Sequence, residues 1–362
     1  MSEVVRPGPG GTGFGIHNRV EQGDAMSRNV VTVFGGSGFI GRHLVRRLVA
    51  TADVVRVCVR DPEAANFLKP MGDVAQIVPL AADVTDPESV ARAVADADAV
   101  VNLVGILYER GRQTFRRVHV EGAAQVAEAA RDAGARAFVH LSAIGADAQS
   151  SAEYARTKAA GEAAVREAFP DAVILRPSVV FGPEDRYFNL FAEMTRYSPG
   201  LPVLGCSLVP RVSFGEDERG IAIDVFGAGG PRVQPVYAGD VADAIVCALA
   251  ETRHRGQAFE LGGPEVYSFK EIMEIVLAET GRRRFLYPIP FGLARFYAWF
   301  LEKLPVPLLT RDQIELLRTD NVVGAGALTL TDLGLEATPV EGFVSRYLGR
   351  FRPWRLREHA RV

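Results

Sequence analysis

Seven residues, Gly35-Gly36-Ser37-Gly38-Phe39-Ile40-Gly41, stand between a β-branched run, Val30–Phe34, and an amphipathic helical pattern over Ile40–Ala50. Leu44 and Leu48 mark the apolar face of that helix. A strand that passes into a helix through glycines spaced Gly35-x-x-Gly38-x-x-Gly41 must turn tightly and let backbone approach backbone. The first N–H groups of the helix are left free, with the positive end of its dipole behind them, and they suit a diphosphate. The spacing differs from the commoner G-x-G-x-x-G form, but the physical device is the same. A glycine string alone marks only a turn; in a β-α-β setting it predicts a dinucleotide site. Gly35, Ser37, Gly38, Phe39, Ile40 and Gly41 are the expected contacts at the diphosphate.

Downstream, apolar runs alternate with helical patterns. Strands are expected at Val54–Val59, Ile77–Ala81, Ala99–Val104, Ala137–Ser142 and Val173–Arg176. Helices are expected near Glu63–Lys69, Pro87–Ala95, Phe115–Ala133 and Ala152–Ala168. Continuous apolar strands separated by crossover helices predict an α/β fold, a doubly wound parallel Rossmann sheet. After Pro177 the rhythm changes to clustered Pro and Gly, a hairpin over Leu208–Phe226 turning at Gly215–Gly220, and three further helices at Asp240–Ala250, Ser268–Thr280 and Phe291–Leu304. The expected organisation is a flexible tail over 1–28, a nucleotide-binding domain over 29–176, a smaller C-terminal α+β lobe over 177–350 interleaved with the last strands, and a basic tail over 351–362. Met26 is an alternative start to Met1, because nothing before it is needed for the core.

Ordinary composition and a formal charge of −3 in 362 residues give no basis for a nucleic-acid partner. Three cysteines without a CxxC pair point away from a disulfide framework or zinc site, so no metal is expected. The polar, glycine-rich first 25 residues have neither a signal-peptide core nor the arginine richness of a transit peptide, so a cytoplasmic location is expected.

Where an acidic residue after the second strand would hold a ribose 2′-hydroxyl, this chain has Arg60, with Arg42 just beyond the glycine loop. A guanidinium pairs with a 2′-phosphate and a carboxylate repels it, so NADP(H) is favoured, with NAD(H) the alternative. Asp83 and Val84 are expected at the adenine edge; Leu103, Val104 and Gly105 are expected under the cofactor. Asp83 could also be only a turn residue, and Asn102 either a site residue or a local cap. Tyr154 and Lys158 fall at i and i+4 on one helix face, with Ser142 twelve residues upstream of Tyr154. A nearby ammonium stabilises a phenolate, so Tyr154 could move a proton to or from a substrate oxygen. Lys158 would also reach the nicotinamide ribose, and Ser142 would orient a carbonyl.

Together these residues resemble the extended or atypical branch of the short-chain dehydrogenase/reductase superfamily, over roughly Val30 to Ala250. The resemblance includes Arg176-Pro177-Ser178-Val179-Val180-Phe181-Gly182-Pro183, and it implies that Pro177, Ser178 and Val179 pass near the nicotinamide. One departure is His119 in His119-Val120-Glu121-Gly122, where many members carry the Asn that supports the proton relay. A narrower resemblance rests on Phe67-Leu68-Lys69-Pro70-Met71-Gly72-Asp73, Ser142-Ala143-Ile144-Gly145-Ala146-Asp147, Phe181-Gly182-Pro183-Glu184-Asp185-Arg186, Gln234-Pro235-Val236-Tyr237 and Leu309-Thr310-Arg311-Asp312-Gln313. These are similar to the NAD(P)H-binding accessory subunit family of respiratory complex I (NADH:ubiquinone oxidoreductase).

That resemblance implies a nucleotide held as a structural or regulatory ligand, with complex I subunits as partners and a peripheral position on the inner face of the respiratory membrane. The alternative is an NADPH-dependent reductase acting on a small carbonyl or quinone-pathway substrate; whether the chain turns over a substrate stays open. The aromatic stretch Phe291, Phe296, Tyr297, Trp299, Phe300 and Leu301 is expected chiefly to pack the C-terminal lobe, with a docking or bilayer face as the alternative. Arg346, Arg350, Arg352, Arg355 and Arg357 read equally as a solvated tail or as attraction to anionic lipid.

Overall fold

A computed structural model of the chain describes residues 28–206, 211–214 and 221–353. Most of the expected N-terminal tail, the turn Gly215–Gly220, and Arg355 and Arg357 lie outside the described residues. The chain opens with strand β1 (Val30–Phe34) and helix α1 (Phe39–Leu48), then β2 (Val54–Val59) and β3 (Ile77–Ala81). After α2 (Pro87–Val94) come β4 (Ala99–Asn102), α3 (Gly122–Asp132), β5 (Ala137–Leu141), α4 (Glu153–Ala168) and β6 (Val173–Pro177). A later strand, Ala258–Leu261, adds to the edge, giving the order Ala258–Leu261, β6, β5, β4, β1, β2, β3. Every pairing in this seven-stranded sheet is parallel.

All five residues of β1 are buried, which is why the strand reads as a continuous apolar run. Its side chains alternate between two cores. Val31 and Val33 join Leu44, Leu48, Val241 and Ile245 on one face. Phe34 joins Val90, Val126, Phe138 and Val165 on the other. Thr32 is tolerated there because its hydroxyl donates to the Ala93 carbonyl, 3.1 Å away. The chain crosses from β3 to β4 over β1 and β2, so the strand order reverses beside β1, between it and β4. In open α/β sheets the crevice at such a reversal, beyond the carboxyl ends of the strands, is where ligands bind.

The helix expected over Phe115–Ala133 is interrupted. Arg116–Glu121 is wound as a π turn, and α3 begins only at Gly122. The wider turn accompanies the close seating of α4 on it: a Cβ at Gly161 would lie under 3.0 Å from the His119 carbonyl oxygen. The strand expected to run to Val104 ends at Asn102, whose buried carboxamide oxygen instead accepts the Val104 N–H at 3.0 Å. Asn102 is therefore the local cap.

The remaining elements are α5 (Tyr187–Tyr197), α6 (Ala238–Ala250), α7 (Phe269–Thr280), α8 (Phe291–Leu301), α9 (Arg311–Leu316) and α10 (Val340–Leu348). Helix α6 belongs to the sheet, packing with α1 on one face. The expected hairpin is present as Arg211–Phe214 paired antiparallel with Ile221–Asp224. A third core, with Phe181, Phe188, Leu201, Phe269, Ile272 and Val344, holds the C-terminal elements together. Its buried polar hub is Asp185, which accepts from the backbone of Gly182, Phe188 and Asn189 and from the Tyr347 hydroxyl at 2.6 Å.

Helix α8 does not pack as expected. Only Ala294 and Ala298 of this helix are buried, while Phe296, Tyr297, Trp299 and Phe300 are exposed, Phe300 by 51%. Apart from Phe291, which packs partly buried against the third core, the small residues face inward and the aromatic ones outward. The arginines near the C-terminus are likewise not free: Arg350 donates to Asn189 and Arg352 to the Glu279 carbonyl.

The Gly161 contact supplies a direct test. Gly161→Ala forces α4 away from the π turn and is expected to cost roughly 1–3 kcal/mol, as overpacking a tight contact does. Urea unfolding of the two proteins, compared at equal slope, measures it.

Candidate functional site

The glycine turn lies at the carboxyl end of β1. Gly35 has φ +80° and donates its N–H to the Cys58 carbonyl at 3.1 Å, tying the turn to β2. A Cβ at Gly41 would come under 3.0 Å from the carbonyl oxygens of both Gly35 and Gly36. One at Gly36 would strike Val57. Helix α1 starts at Phe39 with Gly38 as its N-cap, no side chain capping it and no acidic residue in its first turn. Its opening amides are left to whatever anion lies in front of them.

Arg60 follows β2 on the surface and makes no ion pair among the described residues. Arg42 is engaged: it stacks 5.1 Å over the Phe67 ring and lies 3.5 Å from Glu184. Asp83 turns back on its own loop, one carboxylate oxygen accepting both the N–H and the hydroxyl of Thr85. Val84 is buried against Gly122. Leu103 and Val104 run beside Gly35, each 3.5 Å from where its Cβ would stand. Gly105 continues toward the relay residues, 3.9 Å from Lys158 Nζ by the same measure.

Tyr154 and Lys158 lie one turn apart on α4. The ammonium of Lys158 is buried and donates to the Leu141 carbonyl at 2.8 Å. Desolvation lowers its pKa to about 8, with Glu162 opposing the shift. Burial raises the Tyr154 phenol to about 12. Ser142, directly after β5, is buried and its hydroxyl finds no partner among the described residues. A buried hydroxyl without a partner, a glycine beside the ammonium and an uncapped helix start together fit a dinucleotide lying from the turn to Lys158. Ser178, by contrast, donates its hydroxyl to the Asn321 carbonyl at 2.8 Å and accepts from Gln234 N–H, so its side chain is structural. Pro177 accepts from Ile144 N–H, and Val179 from Val236 N–H, holding this stretch beside the residues after β5.

His119 is wired into the same corner. Its Nε2 accepts the Ile106 N–H at 3.0 Å, and Nδ1 lies 3.1 Å from Thr157 Oγ1. Thr157 donates back to the carbonyls of Glu153 and Tyr154, so it must accept from His119 Nδ1–H. The ring is thereby fixed as one neutral tautomer, and desolvation, reinforced by the Lys158 charge, lowers its pKa to about 3. It also packs edge-on against Tyr154, with centroids 5.3 Å apart. His119 acts as a brace for α4 and is not available as an acid.

One functional residue was not singled out for this role by its pattern. Helix α4 has no cap of its own at Ala152. Asp312 of α9 supplies it from far along the chain, 159 residues from Glu153 and 158 from Tyr154, accepting their N–H groups at 2.6 Å and 3.0 Å. Thr310 and Gln313 fix α9 by a capping box. Salt bridges Arg295–Glu315 (2.8 Å) and Arg311–Glu302 (2.8 Å) bind α9 to the aromatic helix and the residue just after it.

Residues 31–262 match the model of the NAD dependent epimerase/dehydratase family. The mitochondrial NADH dehydrogenase (ubiquinone) 1 alpha subcomplex subunit 9 of Arabidopsis thaliana is 33% identical over 340 residues, covering 91% of this chain and 79% of the relative. A ceramide reductase of Caulobacter vibrioides is 37% identical over 178 residues, 49% of this chain and 55% of that protein. Among solved structures, a Citrobacter sp. triphenylmethane reductase complexed with NADP(H) shares the fold, with a TM-score of 0.65 at 20% identity, over 88% of this chain and 99% of its own. This chain belongs to the NAD dependent epimerase/dehydratase family, and within it to the group that contains the mitochondrial alpha subcomplex subunit 9 proteins of NADH:ubiquinone oxidoreductase.

Proposed function

We propose that this chain is a nucleotide-holding accessory subunit of a quinone-reducing respiratory complex, seated peripherally on the inner face of its membrane. The observation that carries the reading is the outward-facing aromatic row of α8, continued by exposed Leu304, Val306 and Leu308. An apolar row of this extent marks a contact surface, for a partner subunit or for the acyl boundary of a bilayer. No helix among the described residues is long and apolar enough to cross a membrane, which agrees with peripheral seating. The likeness to alpha subcomplex subunit 9 supports the same assignment.

The bound group is NADP(H) in preference to NAD(H). Gly35, Ser37, Gly38, Phe39, Ile40 and Gly41 hold the diphosphate, the surface guanidinium of Arg60 takes the 2′-phosphate, and Asp83 and Val84 flank the adenine. Leu103, Val104 and Gly105 support the middle of the ligand, with Pro177, Ser178 and Val179 at the nicotinamide through their backbone. Lys158 and Tyr154 take the nicotinamide ribose. The nucleotide, where it reacts, supplies a hydride.

A second reading, a reductase of a small carbonyl or quinone-pathway compound, is favoured by the convergence of Ser142, Tyr154 and Lys158 and by the ceramide reductase likeness. In it Ser142 orients the carbonyl oxygen, Tyr154 delivers the proton and Lys158 stabilises the phenolate left behind. Burial raises the Tyr154 phenol, so without a ligand it stays protonated.

Three results test these assignments. When the native protein is isolated from detergent-solubilised membranes, it should travel with the quinone-reducing complex and carry bound nucleotide. A Trp299→Ser, Phe300→Ser double variant should keep the nucleotide and lose the complex. Tyr154→Phe should leave membrane NADH:quinone activity unchanged; loss of that activity would favour the reductase.

Arg60→Ala should weaken NADPH by roughly tenfold or more while leaving NADH within about twofold, the scale of one lost charge-assisted contact. Fluorescence titration of both nucleotides measures this, with Gly38→Val as the control that abolishes both.

Lys158 makes stability depend on pH. Its folded pKa of about 8 lies below the ordinary 10.5. Below pH 8 both states carry the proton, and the folded state bears the full desolvation cost. Between these values the folded chain releases it first, so stability without nucleotide rises with pH across that window. Lys158→Met should flatten the rise and stabilise the nucleotide-free protein at pH 7 by about 3 kcal/mol or less, while speeding nucleotide release.

A further inference from the structure

Beside the edge strand Ala258–Leu261, away from the glycine turn that follows β1 inside the sheet, three metal-ligating side chains converge. Cys247 lies in the last turn of α6, and the chain then folds through a short 3-10 turn, Thr252–His254, before entering the edge strand at Ala258. Helix α6 ends at Ala250 and Glu251 is extended, so it is the reversal into the turn Thr252–His254 that brings the side chains of 247, 251 and 254 together. Sγ of Cys247 is 3.8 Å from Glu251 Oε1 and 3.9 Å from His254 Nε2, and that Nε2 is 3.2 Å from Glu251 Oε2.

We propose that Cys247, Glu251 and His254 form a binding site for a thiophilic divalent transition metal, Zn2+ in the first instance. Metal–ligand bonds of about 2.3 Å to sulfur and about 2.0–2.2 Å to imidazole nitrogen or carboxylate oxygen set the expected edges of a zinc tetrahedron. At tetrahedral angles those bonds separate sulfur from nitrogen or oxygen by roughly 3.5 Å, and nitrogen from oxygen by roughly 3.4 Å. These separations lie within a few tenths of an ångström of those values, Sγ facing Oε1 and Nε2 facing Oε2 of Glu251, so a rotation of that carboxylate with small rotamer adjustments closes the set around one ion. A mixed sulfur, nitrogen and oxygen set selects zinc-like ions and disfavours Mg2+ and Ca2+, which take oxygen ligands.

The surroundings suit a cation. The last turn of α6 contains no basic residue, so the negative end of its dipole faces the cluster uncompensated from within the helix. His254 is buried and its ring is set edge-on to Phe259, centroids 5.4 Å apart, which fixes its orientation. Cys247 and Glu251 are half-buried, leaving a fourth position for solvent. The Cys247 thiol donates to the Leu333 carbonyl at 3.3 Å, a contact that gives way when the thiol proton is released on ion binding. The opposing charge is Arg253, which pairs with Glu251 from solvent. Ion binding displaces that guanidinium and releases the thiol proton to water.

Full-length protein stripped with a chelator and titrated with Zn2+ against a chromophoric competitor should take up one equivalent. Co2+ in its place should give the near-ultraviolet thiolate-to-cobalt charge-transfer band with tetrahedral visible absorption. Cys247→Ser and His254→Gln should each weaken Zn2+ by at least roughly 100-fold, the upper end of what even an outer-shell loss costs, and abolish the Co2+ thiolate band. Cys58→Ser and Cys206→Ser should bind as the parent does. Arg253→Ala, on an exposed side chain, should tighten binding severalfold by freeing Glu251, an effect no loss of folding can mimic. Co2+ bound without a thiolate band, parent-like affinity in Cys247→Ser, or unchanged affinity in Arg253→Ala would overturn the site.

Discussion

The placement of Gly41 against the carbonyls of Gly35 and Gly36 is the constraint on which the rest is built. No side chain fits between that helix and the turn that feeds it, so α1 can come down directly on the end of β1. The free amides then face the crevice where the strand order reverses, beside β1. Everything downstream is arranged relative to this crevice. Leu103 and Val104 border it from the next strand along, and α4 presents Lys158 and Tyr154 from the strand beyond.

The relay corner is held by groups whose own chemistry has been suppressed. His119 is neutral because both ring nitrogens have fixed partners, and Lys158 is kept in a dry place with one backbone carbonyl. A buried ammonium with so little compensation is costly in the nucleotide-free chain, and ribose hydroxyls are the kind of neutral acceptor that would offset it. The corner is thus as well suited to gripping a nucleotide as to turning one over. The accessory-subunit and reductase readings meet at the same residues for this reason.

The sheet was legible because its signal is local. Buried parallel strands leave continuous apolar runs, and the glycine turn is written in seven consecutive residues. Tyr154 and Lys158 were legible because helical spacing brings i and i+4 together. What was hidden depends on distance in sequence. Nothing local identifies Asp312 as the cap of α4, and nothing in the spacing of Phe115–Ala133 announces a π turn, since the contact that accompanies it involves Gly161. Helix α8 departs from its sequence pattern for a different reason. Aromatic residues are usually interior, and only the placement of Ala294 and Ala298 against the lobe shows which face of this helix is inward. Ser178 is expected near the nicotinamide from a family resemblance, and nothing in its local pattern announces that its hydroxyl serves the fold by donating to the Asn321 carbonyl.

The borrowed cap has a mechanical corollary. If α9 is pulled away from α4, two backbone donors at Glu153 and Tyr154 lose the carboxylate that satisfies them, at the very turn that carries the phenol. The aromatic helix and the residue after it are held to α9 by two ion pairs, so the same short helix that meets α8 also carries the carboxylate that caps the relay turn. Asp312 is thus the joint at which the C-terminal lobe meets the helix that carries Tyr154 and Lys158.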